Sequence, residues 1–68
     1  MPSTSIRRFA YDPGSRVLSV WFLVSGRRYD YEEVPPAVAD RFRAASSRGR
    51  FFNAHIRDVY PFRHVEDA

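Results

Sequence analysis

The segment from Arg41 to Arg57 carries side chains suited to binding a polyanion with flat bases. Its 17 residues include five arginines and no acidic residue, whereas the whole chain has a formal net charge of only +3. Guanidinium groups bind phosphate, and aromatic and amide side chains contact bases, so this composition favours nucleic acid, and RNA in particular. The alternative is a solvated pair of helices whose aromatic residues belong to the core. The arginines are Arg41, Arg43, Arg48, Arg50 and Arg57, interleaved with Phe42, Phe51, Phe52 and Asn53.

The tripeptide Arg48-Gly49-Arg50 precedes a predicted second helix. Backbone N–H groups at a helix N-terminus, flanked by arginines, can bind a phosphate, and Ser46 or Ser47 could add a hydroxyl donor. Alternatively, Gly49 only permits a tight turn between two helices. The chain has no Gly-x-x-x-x-Gly-Lys-Ser/Thr motif, which excludes an ATP-binding loop of that kind.

Asn53 and Arg57 are four residues apart, so both project from one side of the predicted helix and could hold a phosphate or a base edge. Alternatively, Asn53 caps local backbone and Arg57 pairs with Asp58 or Glu33. Arginines are expected to contact phosphates, and Phe51 and Asn53 to contact bases. The complete set predicted to bind nucleic acid is Arg43, Arg48, Gly49, Arg50, Phe51, Asn53 and Arg57.

Composition argues against other classes of protein. Sixty-eight residues form one small domain without a second lobe to enclose a substrate. Cysteine is absent, His55 and His64 have no third ligand at suitable spacing, and no nucleophile motif accompanies them. We therefore expect no metal, no cofactor and no enzymatic activity. No apolar run approaches the roughly 20 residues that span a bilayer, and no signal peptide is visible, so we expect a cytoplasmic protein without membrane contact.

All eleven basic residues are arginine. A genome rich in G and C could produce this bias without a functional cause. The functional interpretation is that the planar guanidinium pairs bidentately with phosphate and stacks on bases, as lysine does not. The net charge alone does not decide between these interpretations.

Hydrophobic periodicity and turn residues predict the elements that must position these side chains. Breaker residues occur at 12–15, at Ser25-Gly26 and at Pro35-Pro36, and Ser46 to Gly49 separates two helical patterns. The predicted fold is α+β, a three-stranded antiparallel β-meander packed against two short C-terminal helices (β-β-β-α-α). The predicted strands cover 5–11, 17–24 and 27–34, the predicted helices cover 36–46 and 50–59, the domain covers 3–62, and 63–68 form a flexible C-terminal tail.

A two-residue loop at Ser25-Gly26 would pair Phe22 with Tyr29 and Val20 with Tyr31. Under this register the apolar side chains of the second and third strands share the face beneath the helices, and the register of the first hairpin stays open. The opposite face carries Trp21 and Arg28. The predicted core residues are Leu18, Val20, Phe22, Tyr29 and Tyr31 from the strands, with Phe42, Phe52, Ile56 and Val59 from the helices.

Two aromatic features have alternative interpretations. Tyr29 and Tyr31 could stack two bases, but the register favours core tyrosines whose hydroxyls reach the rim. Trp21, on the open face, could bind a ligand or a second copy of the domain, or be covered by Phe62 and Val65 of the tail.

The chain resembles the KTSC domain, a small bacterial module named for its occurrence at the C-terminus of some lysyl-tRNA synthetases. The resemblance covers about residues 3 to 62, implies no catalytic role, and implies RNA binding only through the synthetase context. The residues that carry it are Tyr11-Asp12, Leu18-x-Val20-x-Phe22, Gly26, Tyr29-x-Tyr31, Val34-Pro35, Ser47-x-Gly49-x-Phe51-Phe52-Asn53-x-x-Ile56-Arg57 and Tyr60.

The sequence therefore predicts a small nucleic-acid-binding module that uses an arginine and aromatic surface on the helix side. The alternative is a protein-interaction or homodimerisation module that uses the open sheet face around Trp21 and Arg28, or an exposed sheet edge.

Overall fold

The computed structural model describes residues 5–66 of the chain. These residues form a four-stranded antiparallel sheet in the order β1-β2-β3-β4 and two helices. The predicted α+β class with two helices is confirmed, but the predicted number of strands was wrong, because a fourth strand follows the helices. The elements are β1 Ile6–Asp12, β2 Val17–Phe22, β3 Arg28–Tyr31, α1 Pro36–Ala44, α2 Arg48–His55 and β4 Phe62–Val65.

The first hairpin has a four-residue loop, since Asp12 lies opposite Val17. The Asp12 carboxylate accepts hydrogen bonds from the Gly14 amide (3.0 Å) and the Ser15 hydroxyl (2.9 Å), the usual role of Asp at the start of a turn. A shift in register between Ile6 and Arg8 marks a bulge in β1. These contacts settle the register that the sequence left open.

The second hairpin has a different register from the predicted one. Val20 lies opposite Tyr29, whereas the sequence predicted Tyr31 at that position. The loop is longer than two residues: the Phe22 amide donates to the Arg27 carbonyl (3.0 Å), and Gly26 lies in the turn with a φ of 70°. The displacement is two residues, and because strand side chains alternate with a period of two, the predicted faces are preserved.

The third strand is shorter than predicted because the backbone leaves the sheet after Tyr31. Glu33 has a φ of 60°, which interrupts an extended conformation, and the Glu32 amide donates to the Pro61 carbonyl (2.8 Å). Beyond Pro61 the chain returns along this edge, and Phe62 pairs with Tyr31. Residues 63–65, predicted to lie in the tail, thus belong to β4. The predicted domain start at residue 3 and the tail residues 67 and 68 lie outside the described residues.

The helices begin and end near Pro and Ser residues. Pro36 occupies the first turn of α1, where its missing N–H costs no hydrogen bond. Ser47 caps α2 by accepting a hydrogen bond from the Arg50 amide (3.4 Å), so this helix starts two residues earlier than predicted. It also ends at His55 instead of residue 59, and Val59 is 60% exposed. The prediction that Val59 belongs to the core was therefore wrong.

Both helices cover the face of the sheet that carries the apolar side chains. Phe42 of α1 packs against Phe9 of β1 (ring centroids 4.6 Å apart), and Phe52 of α2 packs against Phe22 (5.3 Å) and Tyr31 (5.2 Å). Tyr31 is 4% exposed, as predicted for a core tyrosine. The buried cluster consists of Leu18, Val20, Tyr31, Val34, Phe42, Phe52 and Ile56, with Phe22 and Tyr29 half-buried against it.

Candidate nucleic-acid interface

Helix α2 distributes the predicted binding residues over several sides. Gly49, Phe52 and Ile56 are buried against the rest of the domain, so Gly49 serves the packing of the first helical turn. Arg48 and Arg50 flank Gly49, and Arg50 is exposed. Five members of the predicted set lie on α2, whereas Arg43 lies on α1 and Arg57 on the turn after α2, and the members do not converge on a single point.

One side of α2 faces α1. Phe51 is half-buried, with its ring centroid 5.9 Å from Phe42 and 4.6 Å from His55. The guanidinium of Arg41 lies 5.5 Å from the Phe51 centroid, an arrangement of cation and ring that is mutually attractive. The ring of Phe51 is thus engaged within the domain on several sides.

Two arginines next to this surface contact other residues of the domain. Arg48 lies 5.3 Å from the ring centroid of Phe9, which places it above β1. Arg43 forms an exposed ion pair with Asp40 at 3.2 Å. Since this pair lies within α1 and in solvent, it contributes little stability and leaves Arg43 accessible to other anions.

The other side of α2 brings Asn53 and Arg57 together. Arg57 Nη1 donates to Asn53 Oδ1 at 3.5 Å, so the two side chains meet, although Arg57 lies on the turn after α2 and not on the helix that the sequence predicted for it. Asp58 and Glu33, the alternative partners considered for Arg57, form no ion pair with it in the described part of the chain. Arg57 therefore keeps its charge available for an anion.

Arg57 stands at the rim of a cleft between the end of α2 and strands β2, β3 and β4. The cleft has a volume of about 440 Å³, within the range of about 300–1,000 Å³ typical of small-ligand sites. Most of its lining is aromatic. The lining residues are Phe22, Tyr29, Tyr31, Phe52, Arg57, Asp58 and Phe62.

The hydroxyl of Tyr31 is protonated at neutral pH. Burial is the main reason why the pKa of Tyr31 rises from 10.0 to about 12. Arg57 opposes this rise by favouring the phenolate, whereas Tyr29 and Asp58 add to it. The protonated phenol offers an O–H donor in the same cleft as the acceptor oxygens of Asp58.

Ion pairs among residues 5–66 involve three arginines: Arg28, Arg43 and Arg63. Arg48, Arg50 and Arg57 have no carboxylate within ion-pair distance in this part of the chain. The positive charges of Arg48 and Arg50 on α2 are therefore not paired within the domain, and Arg57 forms no ion pair although Asp58 follows it, which favours attraction of a polyanion.

The open face of the sheet carries Trp21 and Arg28, as predicted. Trp21 is half-buried beside two guanidinium groups, with Arg8 at 4.0 Å and Arg28 at 5.1 Å from its ring. Arg28 also pairs with Asp30 at 2.9 Å, and Ser19 donates to the same carboxylate at 2.8 Å. Side chains of the face itself thus cover much of Trp21. Phe62, considered from sequence as a cover for Trp21, lies on the helix side of the sheet instead.

Sequence reasoning missed the contribution of β4 and of Asp58 to the cleft. In β4 the side chains of Phe62 and His64 lie on the helix side of the sheet, but the order apolar, polar, polar, apolar from Phe62 to Val65 is not the strict alternation that predicts a strand. The pattern is only four residues long and follows Pro61, so it looked like part of the tail. The Phe62 ring closes one side of the cleft.

The described residues contain no group of three or more His, Cys, Asp or Glu side chains that could hold a metal ion. Neither helix in this part of the chain has the length and apolar character needed to cross a membrane.

Fold and surface together define a small α+β domain whose helix side combines exposed arginines with an aromatic-lined cleft. The chain belongs to the KTSC domain family, whose profile matches residues 2–60, as the sequence motifs indicated. It superposes on the crystal structure of a KTSC domain protein from Yersinia pestis with a TM-score of 0.88 and 33% identity, covering 97% of this chain and 92% of that one.

Relatives occur both as small proteins and as part of a larger one. An uncharacterised protein of Stutzerimonas stutzeri is 45% identical over 53 residues, which is 78% of this chain and 73% of that protein. A lysine–tRNA ligase of Nostoc punctiforme is 35% identical over 57 residues, which is 84% of this chain but 10% of the ligase. The domain is therefore similar to one small segment of that enzyme.

Proposed function

We propose that this KTSC domain is an RNA-binding module that uses the helix-side surface around α2. The observation that carries the proposal is the position of Arg57: it has no carboxylate partner among the described residues and stands beside a cleft lined by aromatic rings. A cation for phosphate next to rings for bases is the combination with which proteins bind single-stranded nucleic acid.

The other arginines extend this site along the helix. Arg48 and Arg50 flank the start of α2, and Arg43 lies on the neighbouring helix. We assign phosphate contacts to these groups and to Arg57, with Asn53 positioned by its hydrogen bond to Arg57. Phosphate contacts give affinity without sequence information, so modest specificity is expected.

The similarity to a segment of a lysine–tRNA ligase supports RNA over DNA, because that enzyme's name places it with tRNA. We include in the proposal a cytoplasmic location, where such RNA is encountered, and a function in binding without catalysis or a cofactor.

Salt dependence provides the test. A fluorescently labelled single-stranded RNA and an RNA hairpin are titrated at about 50 mM and about 200 mM salt with the wild type and with an Arg48/Arg50/Arg57→Ala variant. Removing one phosphate contact should make the slope of log K against log salt less steep by about 0.7 for a single strand, so the triple substitution should change it by about 2.

The matched control is an Arg8/Arg16/Arg63→Ala variant, which removes the same charge from exposed arginines on the open face of the sheet and in the first turn. It should retain most of the affinity. Equal reductions in affinity for the two variants would mean that net charge alone attracts the RNA, and binding that ignores salt would contradict the electrostatic mechanism.

A second candidate function is a protein contact or homodimer through the open sheet face or a sheet edge. The position of Trp21 on that face favours it, since a large aromatic side chain beside two arginines can dock against an acidic or aromatic surface. Light scattering should then show a dimer that Trp21→Ala converts to a monomer. A dimer whose mass is unchanged by Trp21→Ala would contradict a homodimer interface on the sheet face.

A further inference from the structure

The helices leave part of the sheet's aromatic face uncovered. Strand β4 lies at the edge, and its two residues on the helix side, Phe62 and His64, are exposed, Phe62 by 55%. Their rings nevertheless pack against the neighbouring strand: Phe62 lies 5.4 Å from Tyr31 and 5.9 Å from Tyr29, and His64 lies 5.2 Å from Tyr29. The result is a fixed row of rings with one side open.

Three rings of this row, those of Phe62, Tyr29 and Tyr31, line the cleft, and polar groups stand beside them. Arg57 supplies a positive charge, Asp58 supplies acceptor oxygens, and Tyr31 supplies a hydroxyl that remains protonated at neutral pH. Because these polar groups differ in charge and hydrogen-bonding role, the cleft suits a ligand that also combines several kinds of group.

We propose that the cleft holds one unpaired nucleobase of a bound RNA, stacked against Phe62, with the adjoining phosphate on Arg57. Asp58 accepts a hydrogen bond from an N–H of the base or from a ribose hydroxyl. The inference rests on the proposed function and adds to it a stacking site formed by β4, on the opposite side of α2 from Phe51.

The mixed polarity of the rim argues for a nucleotide over other occupants. A free phosphate bound at Arg57 would make no use of the rings or of the acceptor oxygens of Asp58. An apolar peptide segment would bury Arg57 and Asp58 without partners, which is costly. A nucleotide satisfies all three features, since its base has a π-face and N–H donors and its phosphate is anionic.

Substitution of Phe62 separates stacking from charge. Phe62→Leu keeps an apolar side chain at an exposed strand position and removes the ring. Affinity for a six-nucleotide single-stranded RNA should fall about 5-fold to 150-fold, the range for removal of one base–aromatic stack, while the salt slope stays unchanged. The matched control is Leu23→Ala, a substitution at a site that is 60% exposed and does not line the cleft; it should bind like the wild type.

The outcomes distinguish this inference from the function on which it rests. If the wild type shows no salt-dependent RNA binding, the proposed function fails and the stacking site with it. If binding and its salt slope are intact but Phe62→Leu binds as tightly as the wild type, the stacking site alone is refuted.

Nuclear magnetic resonance with two six-unit oligonucleotides tests the base directly. The wild type is titrated with the RNA and with an abasic strand of the same length. The ring signals of Phe62 and Tyr29 should shift with the RNA only, and the indole N–H signal of Trp21, on the other face of the sheet, serves as the internal reference. Equal shifts with both strands, shifts confined to Trp21, or ring shifts that depend on protein concentration instead of RNA would overturn the proposal.

Discussion

Alkaline pH should destabilise this domain more than a variant that lacks the Tyr31 hydroxyl. Tyr31 is 4% exposed and lies between Phe52 and Phe62, so ionising its phenol would place a negative charge in a largely apolar environment. Burial is the main reason why its pKa is raised from 10.0 to about 12. The perturbation is a rise in pH from about 8 to about 12, applied to the wild type and to Tyr31→Phe.

The sign and size of the change in stability follow from the linkage between proton binding and folding. A group whose pKa is higher in the folded state contributes stability below the unfolded-state pKa, and that contribution is lost as the pH rises from 10.0 toward about 12 and above. Since one pKa unit corresponds to about 1.4 kcal/mol, the loss attributable to Tyr31 should reach about 1 kcal/mol near pH 11 and about 3 kcal/mol at most above pH 12. A domain of this size has a total stability of roughly 3–10 kcal/mol, so the effect is large enough to measure.

The loss of stability at alkaline pH is measured by urea denaturation, with unfolding monitored by circular dichroism. The free energy of unfolding is determined for both proteins at about pH 8, 10, 11 and 12, and each value is compared with that protein's own value at the lowest pH. The wild type should be destabilised more than Tyr31→Phe, with the difference appearing above about pH 10. Curves that fall in parallel for the two proteins would refute the argument that burial raises the pKa of Tyr31.

Two further predictions concern stability and use the same urea assay with matched controls. Asp30→Ala removes the buried carboxylate that Arg28 and Ser19 contact and should lower the free energy of unfolding by about 2 kcal/mol or more. Its control, Asp40→Ala, removes an exposed ion pair and should lower it by less than about 1 kcal/mol. Equal effects of the two substitutions would contradict the argument that burial makes the Asp30 contacts stronger. Phe42→Ala, at a fully buried position between Phe9 and Phe51, should lower the free energy of unfolding by about 3–5 kcal/mol. Its control, Val59→Ala, should change that free energy by less than about 0.5 kcal/mol, because Val59 is exposed. A large effect at Val59 would indicate that this side chain is packed.

The face of the sheet on which each strand side chain lies was predictable, because it depends only on whether the residue number is odd or even along the strand. The sequence placed the turn near Gly26 and the apolar residues at alternating positions, and a displacement of two residues left every predicted side chain on its face. The loop length itself was not predictable: the exposed Leu23 and Val24 look like strand residues, and the hydrogen bonds that end the strand at Phe22 involve only backbone atoms.

The end of α2 and the existence of the fourth strand could not be predicted from the sequence, because both depend on tertiary contacts. Val59 continues the apolar period of the helix, but the backbone departs from helical geometry at Ile56, which has a φ of −123° and a ψ of −49°. That departure turns the chain toward Pro61, and β4 then pairs with β3 in an arrangement that no four-residue pattern specifies. Secondary-structure propensity predicts such short strands poorly, because they are stabilised by pairing with strands that are distant in the sequence.

The early end of α2 also determines where the candidate site can lie. A helix continuing to residue 59 would have buried Val59 and carried Arg57 along its own surface, in line with Arg50 and Asn53. Because the helix stops at His55, Arg57 and Asp58 fall on the turn that leads into β4, and they line the cleft whose outer wall β4 provides. The basic segment seen in the sequence thus divides into a helical part, where Arg48 and Arg50 can meet a phosphate backbone, and a turn, where one cation stands beside exposed rings. Affinity and base contact would then be separable by mutation, with changes in salt slope at Arg48 and Arg50 and a change in affinity at constant slope at Phe62.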